Sequence, residues 1–263
     1  MLFSCDPIEK RLDIGSEITA NELNITAVPL MVNGKRSNKI IVNNDSPVLS
    51  SWDFGTGTTQ KKTDTVLMVV AGENEIIFTG LNPLGTKVSK TLTFIVDELT
   101  FPVPPEWAFL TDGKEKTWKW DETKPAVWGN GGYLINVTPA WWAVKEAEMN
   151  AQEAGEGVGS KMVLALRGAK LEKIRSTGEK LIGSFSFDMS QVVKSDDGKI
   201  WSYGKFKTKG TTVLVGKSPE EGNSPIYEFD IMTINDKELV LAYAPAGAAI
   251  WATTYYWVFR AVE

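Results

Sequence analysis

Hydrophobic positions in this chain fall in short runs, most of them alternating with polar residues, and turn-forming pairs close them. In the N-terminal third such runs lie at residues 24–30, 39–43, 50–54, 65–70, 75–80 and 90–96. A period of two puts one face of each run toward a core and the other toward water, which is the pattern of a half-buried strand. Asn33-Gly34, Gly72-Glu73-Asn74 and Asn82-Pro83-Leu84-Gly85 mark turns between them. Short strands with a turn every dozen residues or so predict a β-sandwich. Within this stretch, Trp52-Asp53-Phe54-Gly55-Thr56-Gly57 reads as a strand ending in a tight turn. Trp52 and Phe54 face one side and Asp53 the other, and the glycines supply backbone angles that other residues resist.

Phe101-Pro102-Val103-Pro104-Pro105 interrupts the pattern. Three prolines in four positions predict an extended, stiff connector over residues 100–106. Beyond it lie nine of the ten tryptophans and a second series of strand-like runs. Residues 116–121 alternate cleanly, with Trp118 and Trp120 on one face. Further runs occupy residues 132–137, 161–168 and 253–262. Three hairpins are expected: 171–175 with 181–189, 200–207 with 211–216, and 226–234 with 238–243. Eight to ten antiparallel strands joined in this way make a β-barrel or a two-sheet β-sandwich, and the pattern does not choose between them. The chain thus reads as all-β. Only residues 140–154, alanine-rich with Glu and Lys and ended by Gly155, read as a helix. The resulting division is a leader or linker over 1–21, a β-sandwich over 22–99, a Pro-rich linker over 100–106 and a second β-domain over 107–263.

The Trp-Asp-Phe-Gly motif and its spacing from the strands that follow resemble PKD domains, small immunoglobulin-like β-sandwiches of cell-surface proteins. Thr56 stands where that family has a second Asp. The second half is similar to the lipocalin-like domains of Bacteroidetes surface lipoproteins. The likeness lies in Lys-Thr-Trp-Lys-Trp-Asp, Leu-Arg-Gly-Ala-Lys-Leu, Gly-Ser-Phe-Ser-Phe-Asp-Met and the closing run from Tyr227 through Trp257-Val258-Phe259-Arg260. Together these resemblances imply a lipid-anchored surface protein of the outer membrane, with a PKD-like module and a lipocalin-like barrel. They imply a polysaccharide or oligosaccharide partner and a place beside outer-membrane uptake proteins.

Composition narrows the chemistry. The net charge is −5, without long runs of one sign, which speaks against binding a nucleic-acid backbone. No apolar run approaches the length of a bilayer-spanning helix. Histidine is absent, so this chain cannot assemble a Ser-His-Asp triad or a Cys-His pair. Nor can it hold zinc, copper or non-haem iron through imidazole. The sequence points to no metal and no cofactor. The single cysteine, Cys5, follows Leu2-Phe3-Ser4. It reads either as a free thiol or, by its likeness to the end of a bacterial lipoprotein signal, as a lipidation site.

Sugars are held by flat aromatic faces together with a few planar polar groups lining a concave site. Two segments fit. Trp128-Gly129-Asn130-Gly131-Gly132-Tyr133 is a glycine-rich loop holding two aromatics about an amide. Pro139-Ala140-Trp141-Trp142 puts adjacent indoles at the start of the expected helix. Trp251, in a loop of small residues, could line a barrel mouth. The ligand candidates are therefore Trp128, Asn130, Tyr133, Trp141, Trp142 and Trp251; filling of a core is the competing role for each tryptophan. A non-catalytic binding protein is the expectation. A scaffold without a small ligand is one alternative, since an exposed aromatic patch facing a protein looks the same in sequence. A carboxylate-based glycoside hydrolase is another, with Glu106, Asp121, Glu122, Asp188, Glu228 and Asp230 as candidates. Asp196-Asp197-Gly198-Lys199 reads as a hairpin turn, and residues 155–160, glycine-rich around Glu156, as a flexible loop.

Overall fold

The protein, seen in a computed structural model that describes residues 16–262, is all-β, with 49% of residues in strands and 9% in helices. It divides into two compact units. Among the described residues, one holds residues 16–54 together with Thr58–Thr100, and the other holds Gly55–Gly57 and residues 101–262. Among the described residues no helix is long and apolar enough to cross a membrane.

The first unit packs two antiparallel sheets. Strands β1 (Ile25–Val32), β2 (Lys35–Asn44) and β5 (Thr63–Leu67) form one sheet, in the order β1-β2-β5. Strands β3 (Leu49–Asp53), β4 (Thr58–Thr59), β6 (Gly72–Leu81) and β7 (Lys87–Val96) form the other, in the order β4-β3-β6-β7. Alternation on β6 buries Asn74, Ile76, Phe78 and Gly80 and exposes the residues between them. Trp52 is fully buried, its ring centroid 4.5 Å from that of Phe78, and its indole N–H reaches the Lys61 carbonyl at 3.1 Å. The core joins Ile25, Ile40, Val42, Val66, Ile76, Val88 and Val96 around this pair. Asp53 is exposed, as the alternation requires.

The second unit contains a closed eight-stranded barrel. Its strands are β8 (Glu115–Trp120), β11 (Lys161–Ala165), β12 (Lys170–Ile174), β13 (Lys180–Asp188), β16 (Lys205–Lys209), β19 (Glu228–Ile234), β20 (Glu238–Tyr243) and β21 (Thr253–Ala261). The ring closes where β21 pairs with β8, Phe259 lying opposite Trp120. That pairing decides for a barrel over two packed sheets. Following the register around the ring gives one inward set that includes Trp118, Met162, Lys173, Phe185, Phe206, Phe229, Leu241, Trp257 and Phe259. The interior is packed: Trp118, Trp120, Trp257, Phe229 and Phe259 are all fully buried.

The last three strands are buried on both faces. Outward residues Met232, Val240, Ala242, Tyr256 and Val258 are covered by Trp201 and Val193 and by Tyr133 and Leu134. Val193 and Trp201 belong to the hairpin of β14 (Val193–Lys194) and β15 (Ile200–Ser202), whose turn is Asp196-Asp197-Gly198-Lys199.

Five local expectations are corrected. First, Pro105 opens helix α1 (Pro105–Thr111) where an extended connector was expected. A proline at the first helical position gives up an N–H that would have had no partner, and its φ already suits a helix. Trp107 and Leu110 of this helix pack inward, and the Leu110 carbonyl accepts the Trp118 indole N–H at 3.0 Å.

Second, residues 140–154 are not one helix. They form β10 (Trp142–Val144), a 3₁₀ turn (Glu146–Glu148) and the short helix α2 (Met149–Gln152). The edge of β9 (Trp128–Gly132) captures this segment: the N–H groups of Ala140 and Trp141 both reach the Asn130 carbonyl at 2.9 Å. Third, the strand expected at 132–137 lies earlier, as β9. Residues beyond Gly132 turn because the Gly132 carbonyl takes the N–H groups of Ile135 and Asn136.

Fourth, residues 211–216 make no hairpin with β16. They are buried throughout and cross the barrel interior. Lys173 Nζ reaches Thr212 Oγ1 at 3.2 Å, and the Trp257 indole N–H reaches the Val215 carbonyl at 2.9 Å. Gly183 permits the crossing, since a Cβ there would lie 2.2 Å from the Lys209 carbonyl oxygen. Fifth, Glu156, placed in a flexible loop by sequence, is buried. Its carboxylate accepts the Val215 N–H and pairs with Lys173 at 2.9 Å and Arg175 at 3.2 Å. The strands β17 (Lys217–Ser218) and β18 (Ser224–Pro225) follow this plug as a separate small ribbon.

Candidate functional site

β21 has two partners along one edge. Its second half pairs with β8 to close the barrel, while its first half, Thr253–Trp257, pairs with β9, and β9 in turn with β10. The three strands form a lip beyond the ring. Register carries the inward face of the barrel onto this lip: Trp128 lies opposite Trp257, Asn130 opposite Tyr255, and Trp142 opposite Asn130. Sequence alternation predicts part of this, since Tyr255, Trp257 and Phe259 share one face of a strand.

Trp128 is not a surface platform. Its ring is fully buried among Trp142 (centroids 5.1 Å apart, edge to face), Tyr255 (5.7 Å, stacked) and Trp257 (6.5 Å). The competing role, core filling, is the one it has. Asn130 holds the lip together: its Oδ1 accepts the Trp142 N–H at 3.1 Å while its carbonyl anchors Ala140 and Trp141. Gly129 makes this approach possible, for a Cβ there would lie 1.9 Å from the Trp142 carbonyl oxygen.

Tyr133 is half-buried, its ring edge to face with Trp201 at 4.9 Å on the outer side of the wall. Burial pushes its phenol up from the ordinary tyrosine range, with Asp230 adding to the effect. Its backbone serves the site instead: the Tyr133 carbonyl accepts the Trp251 N–H at 3.1 Å, and its N–H reaches the Ala252 carbonyl at 2.8 Å.

Trp141, Trp142 and Trp251 are exposed, at 52%, 39% and 57%. The indole planes of Trp141 and Trp251 lie within 8° of parallel, with centroids 6.5 Å apart. Ile135, Val137 and Ile250, also exposed, come from the same two loops. Trp251 has φ +70°, in the left-handed region that bulky side chains rarely occupy. Such strain persists only where the surroundings over-determine it, and here the Tyr133 carbonyl holds the residue.

Two tyrosines, Tyr255 on the lip and Tyr243 beside it on β20, escape motif reading. Tyr243 lies opposite Tyr255, and its hydroxyl donates to Glu221 Oε2 at 2.7 Å. Burial, followed by the bond to Glu221, pushes Tyr243 up to about 12. Tyr255 is also raised by burial; the Asn130 side chain opposes the shift and Glu220 adds to it. Their only sequence signal is position on adjacent strands.

Apart from Glu106, the carboxylates considered for hydrolysis serve other groups. Asp121 closes a turn on Thr123, and Asp188 does so on Ser190 and Gln191. Arg260, then Lys119, hold Glu122 well below the usual carboxylate range. Glu228 pairs with Lys207 at 2.8 Å and Asp230 with Lys205 at 2.9 Å. Among the described residues no group of three or more acidic or thiol side chains could hold a metal ion. Cys5 lies outside the described residues.

No family model matches the chain. No curated protein matches it either. The chain is similar at 11% identity to a solved structure of carbohydrate-binding modules from the beta-sandwich super family, described for their promiscuous specificity. The likeness covers 90% of this chain and 91% of that one with a TM-score of 0.22, too low to relate the two folds.

Proposed function

We propose that this protein is a non-catalytic glycan-binding lipoprotein of the bacterial cell surface that takes polysaccharide on the aromatic lip of its barrel. The observation that carries this reading is the pair of exposed, near-parallel indoles of Trp141 and Trp251. Parallel apolar planes with water on one side suit the C–H faces of sugar rings, and the strained backbone of Trp251 holds one plane in place before ligand arrives. Trp142, on the inward face of the lip beside Trp128, extends the apolar surface.

A ligand carried inside the barrel is disfavoured, because residues 211–216 and five large aromatics fill it. A glycosidase would need two carboxylates facing one another across a cleft, one of them with a raised pKa. Those singled out by sequence are instead engaged in turns and ion pairs, apart from Glu106. In this reading the first unit is a PKD-like spacer, Cys5 carries the lipid, and outer-membrane uptake proteins are the neighbours.

The test is titration with a panel of soluble polysaccharides, following tryptophan fluorescence and release of reducing ends together. A fluorescence change without new reducing ends is expected. Released oligosaccharide would overturn the non-catalytic reading, and silence across the panel would favour a scaffold whose exposed aromatics face another protein.

A further inference from the structure

Gly132 lies between the two exposed indoles. A Cβ built on it would sit 3.0 Å from Trp251 Cε3, 3.1 Å from Trp141 Cζ2 and 3.4 Å from Ile135 Cβ. Such contacts are tighter than nine in ten that real Cβ atoms make, so both rings would have to give by a few tenths of an ångström. The backbone does not require glycine here, because Gly132 is not among the residues with positive φ, unlike Gly129 at +146°. What a side chain here would press on is the pair of rings, so the bare Cα fixes how closely they approach.

The polar groups of Gly132 are all committed within the protein. Its N–H donates to Asn136 Oδ1 at 2.8 Å, and its carbonyl accepts from the Asn136 N–H at 3.0 Å and from the Tyr256 hydroxyl at 3.2 Å. The floor between the indoles therefore offers no free donor or acceptor, and no charged group is among the atoms nearest to it.

We propose that Gly132 is a specificity-determining residue: its bare Cα sets the separation of Trp141 and Trp251 and admits the apolar face of an uncharged, unbranched glycan segment. The inference rests on the glycan reading above and adds to it the class of sugar surface recognised. A floor without free polar groups between two apolar rings rewards C–H contact and penalises a hydroxyl or carboxylate pressed against it without a partner. Branches and charged substituents on the docked segment are thereby excluded.

The test compares wild type with Gly132→Ala, Trp141→Ala, Trp251→Ala and the double variant Gly132→Ala/Trp251→Ala. The probes are linear neutral glucan, xylan and mannan, a branched galactomannan and a polyuronate. Thermal midpoints are recorded alongside. The inference expects wild type to prefer a linear neutral chain by at least tenfold. Gly132→Ala should lose at least tenfold in affinity with its midpoint little changed, because the displaced groups are exposed side chains. In the Trp251→Ala background, where the Trp141 ring can yield into the vacated space, Gly132→Ala should cause no further loss. Gly132→Ala binding like wild type while Trp141→Ala fails would overturn the role of Gly132 and leave the glycan reading standing. Equal binding of the branched or charged polymers would overturn the selectivity. No wild-type binding to any polymer would overturn the glycan reading and this inference with it. Should Gly132→Ala fold poorly, the double variant still decides, since a stable double variant that binds like Trp251→Ala locates the conflict at the rings.

Discussion

The carboxylate of Glu156 meets the ammonium of Lys173 at 2.9 Å inside the barrel, with their side chains 1% and 6% exposed. Arg175 and the Val215 N–H complete the shell of the carboxylate, and the Trp120 indole N–H donates to the Glu156 carbonyl at 2.7 Å. Two stretches of irregular chain are thereby fixed against the inward side chains of β8, β12 and β21. Val215 is held in the left-handed region, at φ +46°.

Removal of one partner from a buried pair leaves the other charge uncompensated, which costs about 3–5 kcal/mol. Glu156→Gln is therefore expected to lower stability by that order in chemical denaturation. Lys173→Met should cost less, since Glu156 keeps Arg175 and the Val215 N–H. The double variant should recover part of the loss. A Glu156→Gln protein that unfolds at the wild-type denaturant concentration would show that the latch contributes nothing.

The lip tryptophans should separate into two groups. Trp128→Ala opens a cavity in a packed cluster and is expected to cost about 3–5 kcal/mol. Trp141→Ala and Trp251→Ala remove exposed rings and should stay within about 0.5 kcal/mol of wild type, yet Trp141→Ala should abolish polysaccharide binding and Trp251→Ala should weaken it at least tenfold. Unfolding midpoints and binding isotherms on the same preparations check both halves. A stable Trp128→Ala would contradict the packing described here.

Gly129→Ala tests the attachment of the lip. The added methyl would meet the Trp142 carbonyl, a backbone group that cannot swing aside, at a φ that disfavours alanine. Overpacking of this kind costs about 1–3 kcal/mol. Separation of β10 from β9 is the expected relief, read as rapid amide exchange at Trp142 and loss of binding. Retention of wild-type protection at Trp142 would refute it.

In the first unit, Asp97 is pushed down to about 2, chiefly by the Arg36 guanidinium and then by the Arg36 backbone N–H. A native value below the ordinary 3.8 means that the contribution to stability is complete above that pH. It fades as pH falls through about 2. Arg36→Ala should return Asp97 toward its ordinary value, visible in an NMR titration of its carboxyl carbon. An unmoved titration would assign the shift to another cause.

Much of the strand content was legible because a period of two is local. Trp52, Trp118, Trp120 and Trp257 could be placed in cores from their neighbours alone, and the hairpins of β12 with β13 and β19 with β20 follow from their turns. The candidate site was legible only in part. Trp141 and Trp251 are far apart in the chain, and nothing local says that their rings become parallel over Gly132. Trp128 looked equivalent to them until its register opposite Trp257 placed it inside.

Sequence alone therefore determined the alternation, most of the turns, the all-β class and the exclusion of histidine chemistry, because each depends on residue identity and near neighbours. The tertiary structure alone decided the rest. Pairing of β8 with β21 closed the barrel. The carbonyl of Asn130 turned an alanine-rich segment into an edge strand, and the buried carboxylate of Glu156, in an expected flexible loop, pinned residues 211–216 as a plug where a hairpin strand was expected. In each case the deciding partner lies ten residues or more away in the chain, and the pairing or ion pair that it makes outweighs the weak local preference of the segment that it captures.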